Sequence, residues 1–181
     1  MAIILLYDFG SYRHWFTINH TNLWFLNYEM TFEYLFYSYF LISAFPDKNE
    51  RKRLSIVTFT CLVFTIVDIF FIQGKMRLCT IAIVIQYALL IALVCRFFYL
   101  QLQQIEGNTS ILKKPDFWVG TGILFFFLTE FLGYVSFNMA YTSPGVFRYI
   151  YSFMGMLANI ILYTCLVVAF LCFSSAKKTR A

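Results

Sequence analysis

Charge is scarce in this chain. Of its 181 residues only 13% are Asp, Glu, Lys or Arg, against roughly 25% in an average soluble domain. Proline occurs three times, and so little charge and proline exclude a disordered chain. The five cysteines, Cys61, Cys79, Cys95, Cys165 and Cys172, form no CxxC pair. They read as small apolar packing residues, which excludes a disulfide scaffold and gives no metal site. Histidine is limited to His14 and His20, whose spacing does not put two ligands on one helical face. The usual general base and metal ligand of intramembrane hydrolases is therefore missing from the apolar segments. HExxH, GxSxG, the P-loop and the dinucleotide fingerprint are also lacking. The expectation is a protein that is not an enzyme and carries no cofactor. A net charge of +5 does not suggest a nucleic-acid partner once the placement of the basic residues is considered.

What the chain does have is apolar and aromatic mass. Hydrophobic residues make up 61% and aromatics 22%, and the mean hydropathy is +0.72. A soluble globule would lack polar surface to cover itself, so the expected fold class is all-α, an integral membrane helical bundle. A span needs about 20 mostly apolar residues, and five segments qualify: about 22–45, 54–73, 78–100, 118–141 and 149–173. Pro46, Pro115 and Pro144 all fall between these spans, and Gly74 separates the second from the third. Trp15, Trp24 and Trp118 lie at or just beyond span ends, as interfacial anchors do. Residues 22–173 thus form one transmembrane domain, and 174–181 a basic cytoplasmic tail. Residues 1–21 read as an outer, interfacial segment or as the stub of an upstream helix. They are too short to span, and they lack the basic start and small-residue cleavage site of a signal peptide.

Basic residues set the orientation. Lys48, Arg51, Lys52, Arg53, Lys113, Lys114, Lys177, Lys178 and Arg180 fall on one side of a five-span chain. Arg13, Lys75, Arg77 and Arg148 fall on the other, and Arg96 can snorkel toward the first group. The positive-inside rule then places the N-terminus outside and the C-terminus in the cytoplasm.

Polar residues inside the spans are the informative ones. Glu29, Glu33, Asp68 and Glu130 are acids in predicted spans, and Gln86 and Asn159 add amides. An acid at a span's centre costs roughly 2.5–3.5 kcal/mol on the most lenient scale, so each should face protein, water or a partner. All six fall in the outer half. Glu29 and Glu33 stack on one helical face. Stripes at helical spacing support convergence: Thr58, Cys61, Thr65 and Asp68; Cys79, Ala82, Gln86, Leu89, Leu93 and Arg96; Gly122, Phe126, Thr129, Gly133, Ser136 and Ala140; Ser152, Gly155, Asn159 and Tyr163. Small and hydroxylated residues in such stripes mark helix contacts. Two expectations follow. The polar groups hydrogen-bond one another and fix the bundle's register; or Glu29, Glu33, Asp68, Gln86, Glu130 and Asn159 form an outward-opening polar pocket rimmed by Lys75, Arg77 and Arg148. Such a pocket could take a proton, a cation or an amine. The segments LVFTIVDIFF and LFFFLTEFLG align at an offset of 62, setting Asp68 against Glu130. This raises the option of duplicated hairpins, 54–100 and 118–173.

The run KKPDFW, Lys113 to Trp118, followed by Gly120 and Gly122, resembles a loose group of uncharacterised small bacterial polytopic proteins with five to seven helices. Some of these are found beside sensor kinases. The resemblance implies a multi-pass protein of the bacterial inner membrane and carries over no functional residues. The functional expectation is a non-enzymatic sensory, accessory or scaffold subunit, acting through helix contacts with a membrane-protein partner or a second copy. The alternatives are a small transporter or channel using the acids, and then a membrane enzyme without a recognisable motif. The absence of a span broken by glycine or proline counts against the transporter.

Overall fold

The computed structural model describes residues 22–103, 111–136 and 144–178, with Gly10, Arg13 and Trp15 as isolated positions. Five long helices account for nearly all of it: α1 Leu23–Ser43, α2 Lys48–Val67, α3 Thr80–Gln103, α4 Pro115–Val135 and α5 Pro144–Lys178. Helix α2 runs on into a π-helical turn, Asp68–Ile72, and a short 3-10 turn, Ile111–Lys113, precedes α4. No strand occurs among the described residues.

Four of these helical segments are long and apolar enough to cross a membrane: Lys48–Ile72, Thr80–Gln103, Pro115–Val135 and Tyr149–Ser174. Helix α1 has the length, 21 residues, but is more polar. It carries Asn27, Glu29, Glu33 and Ser38 among five tyrosines or tryptophans. Its buried side includes Asn27, Glu33, Tyr34 and Ser38, so its polar groups face the protein.

Helix boundaries differ from the expected spans where capping intervenes. The second helix begins at Lys48 rather than 54, because Asp47 caps it. Its Oδ1 accepts the Asn49 N–H at 3.0 Å and its Oδ2 the Glu50 N–H at 3.2 Å, satisfying donors with no intrahelical partner. Pro115 opens α4 at a position where its missing N–H costs nothing. The 35 residues of α5 extend roughly 52 Å at 1.5 Å per residue, beyond both ends of the expected 149–173. The expected span end at 141 lies outside the described residues, as do residues 1–9.

Successive helices run antiparallel. At one end, the Gly74 end, Asn27 of α1 meets the α2–α3 loop at Arg77 and Cys79. At the other, the Pro46 end, Glu50 on the first turn of α2 pairs with Arg96 near the end of α3 at 2.7 Å. The Trp118 indole N–H donates to the Leu112 carbonyl at 2.8 Å, fastening the turn before α4. Helix α3 packs against α1, α2 and α4, and α5 packs mainly on α4. Tyr34, Tyr87, Leu90, Val94, Phe127 and Ala158 are fully buried in the resulting core. Glycines on α4 permit close approach on both sides. A Cβ on Gly122 would lie 2.9 Å from Cys165 Cβ and 3.3 Å from the Leu162 carbonyl oxygen of α5; one on Gly120 would lie 3.1 Å from the Phe97 ring of α3.

The outward faces are apolar. Phe59, Val63, Ile66, Phe70 and Phe71 are exposed on α2, and Phe153, Ile160, Val167, Phe170 and Phe173 on α5. So extensive an apolar exterior is what a helix surface in contact with lipid requires.

Candidate functional site: two polar clusters

The six residues expected in one pocket are divided between two places, and one of them joins neither. The first place lies between α1, α3, α4 and α5. Its centre is the fully buried Tyr87 of α3, whose hydroxyl lies within electrostatic reach of Glu33, Glu130, Tyr151 and Glu29. The Tyr151 hydroxyl of α5 donates to Glu130 Oε2 of α4 at 3.5 Å. The Tyr87 hydroxyl donates to Met30 Sδ at 2.7 Å, and the Tyr134 hydroxyl lies 3.7 Å from the same sulfur.

Rings join these groups into a continuous row. Tyr37 meets Phe127 with centroids 5.0 Å apart, Phe127 meets Tyr87 at 5.2 Å, Tyr87 meets Tyr134 at 5.7 Å, and Tyr134 meets Tyr151 at 6.1 Å. The pairs are edge-on or tilted, the arrangement that ring quadrupoles favour. Gly133 makes room for the last member: a Cβ there would fall 2.9 Å from Tyr151. The cluster therefore sets one tyrosine hydroxyl, that of Tyr151, against the Glu130 carboxyl, while those of Tyr87 and Tyr134 are directed at the Met30 sulfur. Among the described residues no three His, Cys, Asp or Glu side chains are grouped so as to hold a metal ion.

The second place is the α2–α3 joint, and here Asp68 and Gln86 are found. Asp68 Oδ2 accepts the Ala82 N–H at 3.2 Å. Gln73 Oε1 accepts the Ile81 N–H at 3.1 Å, and its Nε2 lies 3.3 Å from Thr80 Oγ1. Asn27, from α1, accepts the Cys79 N–H at 3.0 Å and donates to the Arg77 carbonyl at 2.7 Å. Three side chains from outside α3 thus satisfy N–H groups at or just before its start, where no intrahelical acceptor exists. A carboxylate at that end also meets the positive pole of the helix.

One turn further along, Gln86 Nε2 donates to Thr65 Oγ1 at 2.8 Å, and Thr65 donates to the Cys61 carbonyl at 2.9 Å. Asp68 Oδ1 and Gln86 Oε1 are buried and meet no donor.

The backbone is adapted to this joint. The Gln73 N–H donates to the Asp68 carbonyl at 2.9 Å, a π-type bond that widens the last turn of α2. Gly74 then turns the chain at φ +86, a conformation that disfavours a side chain. The expectation was that no glycine or proline breaks a span, and none lies within this turn, yet the helix is disturbed. The disturbance is a π-turn at Asp68, which the sequence marks with no proline or glycine inside the helix.

Asn159 stays apart, its amide donating to the Gly155 carbonyl of its own helix at 2.9 Å. The stripe expected on α5 is rotated for the same reason. Ala158, Leu162, Cys165 and Ala169 are the buried positions, whereas Tyr163 is exposed, as is Ser152. The expected stripes on α2 and α3 are buried at Cys61, Thr65, Asp68, Cys79, Ala82, Gln86 and Leu93. Of the rim cations, Lys75 and Arg77 are exposed in the α2–α3 loop. The Arg148 side chain lies outside the described residues. Asp68 and Glu130, aligned by the internal repeat, differ in role: one caps a helix and the other accepts from a tyrosine.

Sequence reasoning missed Asn27, Gln73 and the tyrosines. Tyr87, Tyr134 and Tyr151 read as apolar filling, because ring-rich segments give no sign of which hydroxyl will face an acid. Gln73, seven residues before Thr80, is neither the residue type nor the position that marks a helix start in sequence. No protein-family model, curated protein or solved structure matches this chain.

Proposed function

We propose that the chain is a five-helix integral membrane protein, a non-enzymatic sensory, accessory or scaffold subunit that works through helix contacts with a membrane partner. In this reading α1 is the fifth span, the Gly74 end is outside, the Pro46 end and C-terminus are cytoplasmic, and the membrane is a bacterial inner membrane. The orientation rests on the basic residues Lys48, Arg51, Lys52, Arg53, Lys113 and Lys114, which all lie toward the Pro46 end.

The observation that carries the functional reading is the Glu130–Tyr151 contact within the Tyr87 cluster. It links α4 to α5 through a group whose charge can change, and α5 is a helix with a broad exposed apolar face. Clustered carboxyls in a low-dielectric bundle respond strongly to protons and cations. A change there alters how α5 sits on α4, and α5 presents that change to a neighbour in the bilayer. The capped α2–α3 joint serves as the fixed part.

The test is a Glu33→Gln, Glu130→Gln double variant, purified in detergent beside the wild type. Thermal midpoints measured from pH 4 to pH 8 should vary in the wild type and flatten in the variant. Undiminished pH dependence in the variant would remove the carboxyls from any sensing role. A second reading, a small transporter using the same acids, is favoured by the electrostatic influence of Glu29, Glu33 and Glu130 on the one buried Tyr87. Carboxylate-dependent cation or proton uptake into liposomes would establish it in place of the first.

A further inference from the structure

The α2–α3 pair is pinned at two levels and hollow between them. Toward the Gly74 end, Thr65 and Gln86 are bonded and Asp68 caps Ala82. At the Pro46 end, Glu50 and Arg96 form their ion pair. Between these levels the facing residues include the small side chains Thr58 and Ala92, and a cavity of about 110 Å³ remains. Leu54, Val57, Leu89 and Leu93 complete its walls, and Arg96 stands at one end.

The lining is apolar except at that end. The Arg96 Nε is engaged by Glu50 Oε1, and its guanidinium lies 5.1 Å from the Tyr99 ring centroid. The two Nη groups take no part in the Glu50 pair, and the side chain is 41% exposed. Lys48, Arg51, Lys52 and Arg53 lie on the first two turns of α2, just below Leu54. The acids on or next to those two turns are Asp47 and Glu50, so basic residues outnumber acids on that stretch of α2, next to Arg96 at the end of the cleft.

We propose that this cleft is a binding site for one anionic phospholipid, with an acyl chain between α2 and α3 and the phosphate at Arg96. The match is one of amphipathic order. Hydrocarbon lies where the walls are leucine and valine, and an anion lies where arginine supplies donors suited to phosphate oxygens. Long basic side chains at a span end reach the headgroup level while their stems stay in the apolar region. The groove is open at Val57 and Ala92, and the chemistry beside it in a bilayer is the lipid chain. The inference rests on the membrane placement proposed above and not on the sensory role.

Protein extracted in an uncharged detergent provides the test. Phosphatidylglycerol and phosphatidylcholine are titrated separately, with lipid retention followed by native mass spectrometry and stability by thermal unfolding. Phosphatidylglycerol should be retained and raise the midpoint; phosphatidylcholine should do neither. Ala92→Phe, which fills the cleft without altering charge, should abolish that retention. Arg96→Gln should weaken it by about fivefold, the effect of one basic residue at an anionic surface. Glycerol phosphate, which has the headgroup anion but no chain, should produce no shift. Equal stabilisation by phosphatidylcholine, or by glycerol phosphate, would overturn the proposal. So would wild-type retention in an Ala92→Phe variant whose circular dichroism is unchanged, because the basic cluster alone would then explain the binding. If Ala92→Phe does not fold, an unaltered affinity in Arg96→Gln would overturn it equally. A chain that is soluble without detergent would instead refute the membrane placement.

Discussion

Asn27 and Cys79 are 52 positions apart in the chain and are joined by a 3.0 Å hydrogen bond from the Cys79 backbone N–H to Asn27 Oδ1. The same amide donates to the Arg77 carbonyl at 2.7 Å. One side chain, 2% exposed, therefore holds both polar directions of the loop that begins α3. Asn27→Leu would leave a buried donor and an acceptor unpaired, each costing about 1–3 kcal/mol. Thermal unfolding in detergent should show a loss of about 2–6 kcal/mol on that scale. Asn27→Asp keeps the acceptor for Cys79 but turns an oxygen toward the Arg77 carbonyl 2.7 Å away, and should be destabilising as well. Equal midpoints for Asn27→Leu and wild type would mean that the loop is held by something else.

Asp68 offers a contrast between shape and charge. Asp68→Ala removes the acceptor for the Ala82 N–H, and should destabilise by about 1–3 kcal/mol. Asp68→Asn keeps an acceptor for the Ala82 N–H without a buried charge, and should lose less stability than Asp68→Ala near neutral pH. A large loss in Asp68→Asn, matching that of Asp68→Ala, would show that the negative charge at the helix start is indispensable.

The glycines of α4 and α5 should respond in a fixed order. Gly122→Ala sets a Cβ 2.9 Å from Cys165 and 3.3 Å from the Leu162 backbone oxygen, where backbone must move. Overpacking of this kind costs about 1–3 kcal/mol. Gly133→Ala meets only the ring of Tyr151, at 2.9 Å. That ring can turn aside, with loss of its 3.5 Å bond to Glu130. Gly155→Ala approaches only Glu130 Oε1, at an ordinary 3.7 Å, and should be neutral or stabilising, since alanine favours helix by up to about 1 kcal/mol over glycine. The ranking is read from thermal midpoints; a Gly155→Ala variant less stable than Gly122→Ala would contradict the α4–α5 packing.

Topology is tested by labelling. In a background with all five cysteines replaced, Lys75→Cys in intact cells should react with a membrane-impermeant maleimide. Lys48→Cys should react only after permeabilisation. Both positions are exposed, so accessibility depends on the membrane alone. The reverse pattern would invert the proposed orientation.

The sequence alone was enough to predict the all-helical class and the rough position of each helix. Apolar length, proline and glycine are local properties, legible one segment at a time. Even there, Asp47 moved the start of α2 back to Lys48, because a cap is a specific side-chain contact and hydropathy does not register it. Glu29, Glu33 and Glu130 were expected in one pocket, and each acts electrostatically on Tyr87, a residue hidden among 13 tyrosines.

What only the tertiary structure decided is which polar residue meets which. Asp68 and Glu130 look alike in sequence, each an acid inside an apolar, phenylalanine-rich helix. One turns to the open N–H groups of α3 through a π-turn, and the other to a tyrosine of α5. Those partners depend on how the helices are rotated about their axes and on how close glycine lets them come. Burial energy is nearly indifferent to such rotation, whereas a hydrogen bond is directional. The scarcity of charge dictated an apolar bundle; the directions of a few bonds decided what its rare acids do.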